Sequence, residues 1–381
     1  MASPTDRTLL RDTRPVLVFV LICACLALFG CGTDASSPAR APELSLTGKR
    51  QEDGSLYAAR GSSRGVPLRF FSPSSFWYRP VAGGQVDPSS ATVLRALDGL
   101  VAEEEQARRG PWISTTEFSV PVYTVPANQP TVTVELKHRS PELALQAAWK
   151  AVPLPAWAEP ARGHDALLVV WQPSTNRLWE FWHLRHEAGG WQADWGGAMR
   201  KVSSNPGVYG PQAWPGAKTW WGASASSLSL VGGLITLEDL KRGVINHAVS
   251  MSIPNVRGGV YSSPAQRSDG ADPSSLMLPE GAHLRLDPSL DLASMHLPHL
   301  TLMIAEAAQR YGIFIRDGAG NVQFNAQDPI STGTEPYAGP DGYFEGHHPR
   351  ELLTSFPWNK LELLKMELHK SGRNVSKQQP G

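Results

Sequence analysis

Cysteine is nearly missing from this chain of 381 residues: there are three, and Cys23, Cys25 and Cys31 all fall in the first 31 positions. A disulfide scaffold is excluded, and the chain beyond residue 31 must be held by packing. A charge surplus is missing too. Thirty-five basic side chains balance 35 acidic ones, which argues against a nucleic-acid partner, since that needs a basic excess. The N-terminal apolar run, 16–30, is fifteen residues long, short of the about 20 that a membrane helix needs. No P-loop, dinucleotide-binding glycine fingerprint or Gly-x-Ser-x-Gly elbow occurs. What is abundant is Gly (35) and Pro (32), which demands many turns and loops. Tryptophan is concentrated: of 13, ten lie between Trp149 and Trp221.

The first thirty residues read as an address. Arg7, Arg11 and Arg14 precede the apolar run, as in a signal peptide. The run ends in Leu28-Phe29-Gly30-Cys31, which resembles the lipobox of bacterial lipoproteins. That resemblance implies cleavage before Cys31, lipidation (diacylglycerol and palmitate) at Cys31, and a membrane partner reached through the anchor. Gly32 stands where an Asp would mark inner-membrane retention, so the expected anchor site is the outer membrane if the host is Gram-negative; the alternative is a secreted protein. Residues 31–65 are polar and aperiodic and read as a flexible tether. A single β-rich globular domain is expected over 66–369, with a disordered tail over 370–381.

Within that body Asp87-Pro-Ser-Ser90 starts a helix carried by Val93, Leu94, Leu97, Leu100 and Val101, and a second helix follows Pro298. Short helical turns are expected at 237–241 and 350–355. The rest reads as short strands: 118–125, 131–136, 166–171, 177–186, 191–199, 245–253, 283–286, 313–316 and 322–325. Pro121 marks 118–125 as an edge strand. The fold class is mainly β with flanking helices (β-rich α+β), as an antiparallel sandwich or jelly-roll-like sheet.

The tryptophan-rich hairpins carry the chemistry. Tight turns at 172–176 and 187–190 set Glu180 opposite Val169, Trp182 opposite Trp195 and His186 opposite Trp191, with Asp194 facing His183. Glu180 then sits in an aromatic surround that raises its pKa, making it a candidate general acid or base. Trp182, Trp195 and Trp191 are candidate stacking surfaces for sugar rings, against the alternative that they are core. His247, on the apolar face of 245–253, is a candidate base or a core residue, and Asn205 a candidate substrate holder or a turn residue. Ser224 and Ser226, in a small-residue run, read as a tight turn. No metal and no cofactor is expected. His183 and His186 point to opposite faces of a strand, and the 341–348 loop brings no cysteine.

The order of Leu178-Trp-Glu180, Ser204-Asn205, Ala223-Ser-Ala-Ser226, Gly243-Val-Ile-Asn-His-Ala248, Pro279-Glu-Gly-Ala-His-Leu-Arg-Leu286 and Ala308-Gln-Arg-Tyr-Gly312 resembles a group of uncharacterised exported bacterial proteins, frequent in myxobacteria and actinobacteria. The resemblance spans about 72–330 and implies that Glu180, Asn205 and His247 share one pattern. Two functions are therefore expected. One is an envelope-anchored polysaccharide lyase or glycoside hydrolase with catalytic Glu180, His247 and Asn205. The other is a non-catalytic lipoprotein that binds glycan or another envelope component through exposed tryptophans. A purely structural role remains open beside them.

Overall fold

A computed structural model describes residues 69–372. The signal segment, Cys31, the tether and the end of the tail lie outside the described residues. Among the described residues no helix is long and apolar enough to cross a membrane.

The body is a β-rich α+β fold with four sheets. A five-stranded sheet runs in the order Gln327–Asp328, Val120–Thr124, Leu168–Gln172, Arg177–Trp182, Trp195–Arg200. A six-stranded sheet runs Trp112–Ser114, Gln323–Asn325, Val249–Ile253, Ile313–Gly318, His283–Leu286, Leu361–Leu363. A three-stranded sheet (Val134–Leu136, Gly190–Ala193, Arg185–Glu187) and a two-stranded one (Val260–Ser262, Leu368–Lys370) complete the set. The two main helices are Ser90–Gln106 and His299–Arg310, each burying the apolar stripe that its sequence carries.

Two features depart from the expectation. Antiparallel pairs are the majority, but the sheets are mixed: Val120–Thr124 runs parallel to Leu168–Gln172, and Ile313–Gly318 parallel to Val249–Ile253. Long excursions separate these partners in sequence, and such connections permit parallel neighbours where tight turns do not. Val120–Thr124 is also no edge strand. Its second neighbour is the two-residue strand Gln327–Asp328, with Pro121 opposite Asp328, so the proline interrupts only a vestigial ladder.

The hairpin registers are as the pleat dictates. Glu180 pairs with Val169, Trp182 with Trp195, and His186 with Trp191. The expected strand 177–186 breaks at His183, whose φ of 55° is left-handed, so pairing resumes only at Arg185.

Two apolar cores fill the body. One is aromatic, built from Trp77, Trp149, Trp179, Phe181 and Trp221 with the five-stranded sheet. The other is mainly aliphatic and lies under the two main helices. The strand Ile313–Gly318 serves both by alternation. Ile313 and Ile315 enter the aliphatic core, while Phe314 meets Trp77 edge-on with ring centroids 5.0 Å apart.

Candidate functional site

Glu180 stands in the middle of the five-stranded sheet and is fully buried. Opposite it is Gly197, where a Cβ would approach the Tyr209 ring to 2.6 Å, so glycine lets that ring close over the carboxylate. The segment 222–230 wraps around the acid. Oε1 accepts from Ala223 N (2.9 Å), and Oε2 accepts from Ser229 Oγ (2.8 Å) and Leu230 N (2.9 Å). Burial raises the Glu180 pKa, against the lowering by these donors. The raised pKa agrees with the aromatic surround read from sequence. Three donors from one loop and the lack of any exposed edge make Glu180 an anchor for the loop rather than an acid facing a substrate.

The other predicted polar residues are held by their neighbours, although Asn205 Nδ2 is buried without a partner. His247 lies outside the strand Val249–Ile253 and is buried; Nε2 is 3.2 Å from Asp239 Oδ2 and Nδ1 is 2.9 Å from the Ala248 carbonyl. Burial lowers its pKa, but Asp239 and the carbonyl together raise it above the ordinary value. It lines a cavity of about 10 Å³ with Trp77, Tyr78 and Asp239, room for one water. Asp239 is itself committed to the capping box of the helix Leu237–Arg242 through Thr236. Asn205 closes a turn, its Oδ1 accepting from Gly207 N and Val208 N. No hydrogen bond among the described residues joins Glu180, His247 or Asn205 to one another.

The three tryptophans pack on the aromatic core. Trp191 is buried, and Trp182 and Trp195 are half-buried against the same cluster. The exposed indoles are instead Trp157, 64% exposed, and Trp220, 48%. Ser224 and Ser226 hydrogen-bond to Leu228 and hold the turn that their small size suggested. In the 341–348 loop, His348 caps the helix Pro349–Leu352.

A second group of charges was not singled out in the sequence. The strand Ile313–Gly318 carries a bulge: Ile315 pairs with Met251 and Asp317 with Ser252, leaving Arg316 as the extra residue. Arg316 is buried and donates from Nη1 to the Leu230 carbonyl (2.9 Å). Asp317 accepts from Ala225 N (3.1 Å). Arg267 donates from Nη2 to the carbonyls of Gly222 (3.2 Å) and Ser224 (2.7 Å). The loop around Glu180 is thus also the floor of this group.

Glu280 completes it. Gly281, at φ 80°, packs so tightly against the Ser262 carbonyl that no Cβ fits, and this turn directs Glu280 inward. Glu280 is fully buried, and neither carboxylate oxygen completes a hydrogen bond. The Ser268 hydroxyl, which accepts from Gly270 N, lies close enough to lower its pKa without closing a bond to it. Burial, then the like charges of Asp269 and Asp317, push Glu280 well above the ordinary range. Burial and Asp269 push Asp317 up to about 7. One ligand oxygen from each of Asp269, Glu280 and Asp317 lies within 4.8 Å of the others. Oxygens sharing one calcium at about 2.4 Å stand at most about 4.8 Å apart. Asp269 is exposed and opens the cluster to solvent.

Comparison with family models, curated proteins and solved structures gave no significant match, so residue roles rest on this geometry alone.

Proposed function

We propose that this chain is an exported, Cys31-anchored envelope protein whose body binds its partner in a cation-dependent way, with Asp269, Glu280 and Asp317 as the cation ligands. The observation that carries the reading is Glu280: a buried carboxylate with both oxygens unpartnered, in reach of two more acids. Leaving such a group unpaired is costly, and a shared cation removes the cost. An all-oxygen ligand set suits a hard ion such as calcium, magnesium or manganese. When ionised, the three carboxylates outweigh the nearby Arg267 and Arg316, so the group attracts a cation. For the partner, the exposed faces of Trp157 and Trp220 suit the apolar faces of sugar rings, and Trp220 lies five residues before Ala225, whose amide holds Asp317.

The test is a calcium titration of the chelator-treated full chain, followed by melting temperature. Calcium should raise it for the native chain and leave Glu280→Gln unmoved; equal shifts, or none for either, overturn the cation site. Glycan capture with and without calcium then tests the partner, which should bind only with the ion.

A second reading is an enzyme: Asp317 sits in a carboxyl cluster that Asp269 opens to solvent, and burial with Asp269 raises it to about 7, in the range of a general acid or base. On that reading a polysaccharide is cleaved with Asp317 as acid or base. Release of shortened glycan by the native chain and not by Asp317→Asn would replace the binding proposal.

A further inference from the structure

A separate cluster lies where the predicted strand 177–186 breaks. His183 N donates to the Asp165 carbonyl (2.7 Å) and Leu184 N to the Ala166 carbonyl (3.2 Å), so 165–166 and 183–184 are held side by side. Ala166 and His183 are both left-handed, at φ 42° and 55°, an uncommon conformation for residues with a Cβ. This double irregularity turns the His183 ring away from the pleat. Its Nδ1 is 2.9 Å from Asp194 Oδ2, and Arg185 holds the other Asp194 oxygen at 2.7 Å. Because a carboxylate only accepts, Nδ1 carries the proton and Nε2 of the neutral ring presents a lone pair. That lone pair faces His164 Nδ1 at 3.0 Å.

Asp165 supplies a third ligand atom, and the three lie within 4.8 Å of one another. Trp182 braces the group. Its ring stacks on His183 at 3.6 Å, and its Nε1 donates to Asp165 Oδ1 at 3.2 Å. A ring whose distal nitrogen is fixed by a carboxylate, itself held by an arginine, is how proteins orient a metal-ligating histidine. Two zinc–nitrogen bonds of about 2.0–2.1 Å at a tetrahedral angle place their nitrogens about 3.3 Å apart. The observed 3.0 Å needs about 0.3 Å of movement by the exposed His164.

We propose that His164, Asp165 and His183 form a binding site for a borderline divalent transition metal of the zinc class, with Asp194 as the positioning residue for His183. On binding, His164 changes tautomer: it gives up the proton that its Nδ1 shares with His183 Nε2 and takes one from water at its own Nε2, so both imidazoles stay neutral and water completes the coordination. Two imidazoles and one carboxylate set this site apart from the all-oxygen cluster at Glu280, which favours harder ions.

The experiment is zinc titration of the chelator-treated full chain by calorimetry, in parallel with His183→Asn, His164→Ala and Glu280→Gln. Asparagine tolerates the left-handed backbone at 183, so that variant keeps the local fold. The native chain and Glu280→Gln should each take up one zinc at this site. His183→Asn should weaken it at least 100-fold and His164→Ala at least 10-fold. Comparing variants also subtracts uptake by the three N-terminal cysteines. Unchanged affinity in either histidine variant, or the absence of a one-to-one event in the native chain, overturns the proposal.

Discussion

Two glutamates in this body are fully enclosed, and their surroundings are opposites. Glu180 takes three hydrogen bonds on two oxygens from a single loop, while Glu280 takes none. Burial raises both pKa values, yet only Glu280 also faces like charges. A buried acid that satisfies backbone amides is an organising element: it tells a loop where to go. A buried acid without donors is an unfinished site. The contrast moves the chemical interest from the tryptophan hairpin to the bulged strand behind it.

The sharpest way to break this contrast is to remove the satisfied acid. Glu180→Ala orphans two amides and a hydroxyl, each worth about 1–2 kcal/mol, so urea unfolding should register a loss of roughly 3–6 kcal/mol. A loss below about 1 kcal/mol would show that the 222–230 loop folds without it.

Acid titration needs His283 accounted for before either glutamate is credited. Burial drives its pKa down to about 4, against its hydrogen bond to the Tyr311 carbonyl, and it stacks on Phe314 at 3.8 Å. Its unfolded value is about 6.5, so the unfolded chain binds the extra proton between those limits. The contribution is complete above pH 6.5 and lost as pH falls toward 4, up to about 3 kcal/mol in all. His283→Gln should flatten that slope, and an unchanged slope would assign it elsewhere.

Glu280→Met probes the unfinished site without any cation. Replacing an unpaired buried acid by an apolar side chain of similar volume should stabilise the chelator-treated chain by about 1–3 kcal/mol, read by urea midpoint. Destabilisation would mean that Glu280 is satisfied after all. The smallest effect belongs to Ser227, left-handed at φ 63° within the shared loop, with a buried hydroxyl that has no partner. Ser227→Gly should gain about 0.5–1 kcal/mol in thermal unfolding; a loss would mean that its backbone is not strained.

Local features were legible in the sequence. Period-two alternation and short turns fixed Glu180 opposite Val169 and His183 against Asp194. The stripe from Val93 to Val101 placed the first helix. Long-range partners were not legible. Nothing local to Val120–Thr124 indicates that it lies parallel to Leu168–Gln172. Asp269, Glu280 and Asp317 are dispersed over nearly fifty residues and meet only through a bulge and a turn at Gly281. The charged pair Arg316-Asp317 closing an apolar strand was the one available hint. The approach of His164 to His183 was hidden, because nothing local indicates the two left-handed residues, Ala166 and His183, beside which their rings meet.

Leu230 joins the two sheets by its main chain: its N–H meets Glu180 and its carbonyl meets Arg316. The Glu180 carboxylate and the Arg316 guanidinium thus meet through one intervening residue, and Asp317 first, then Glu180, offset the cost of burying Arg316. The link is made by atoms that every amino acid except proline possesses. Mutation at 230 can alter packing there while leaving the electrical joint intact, whereas proline alone would cut it.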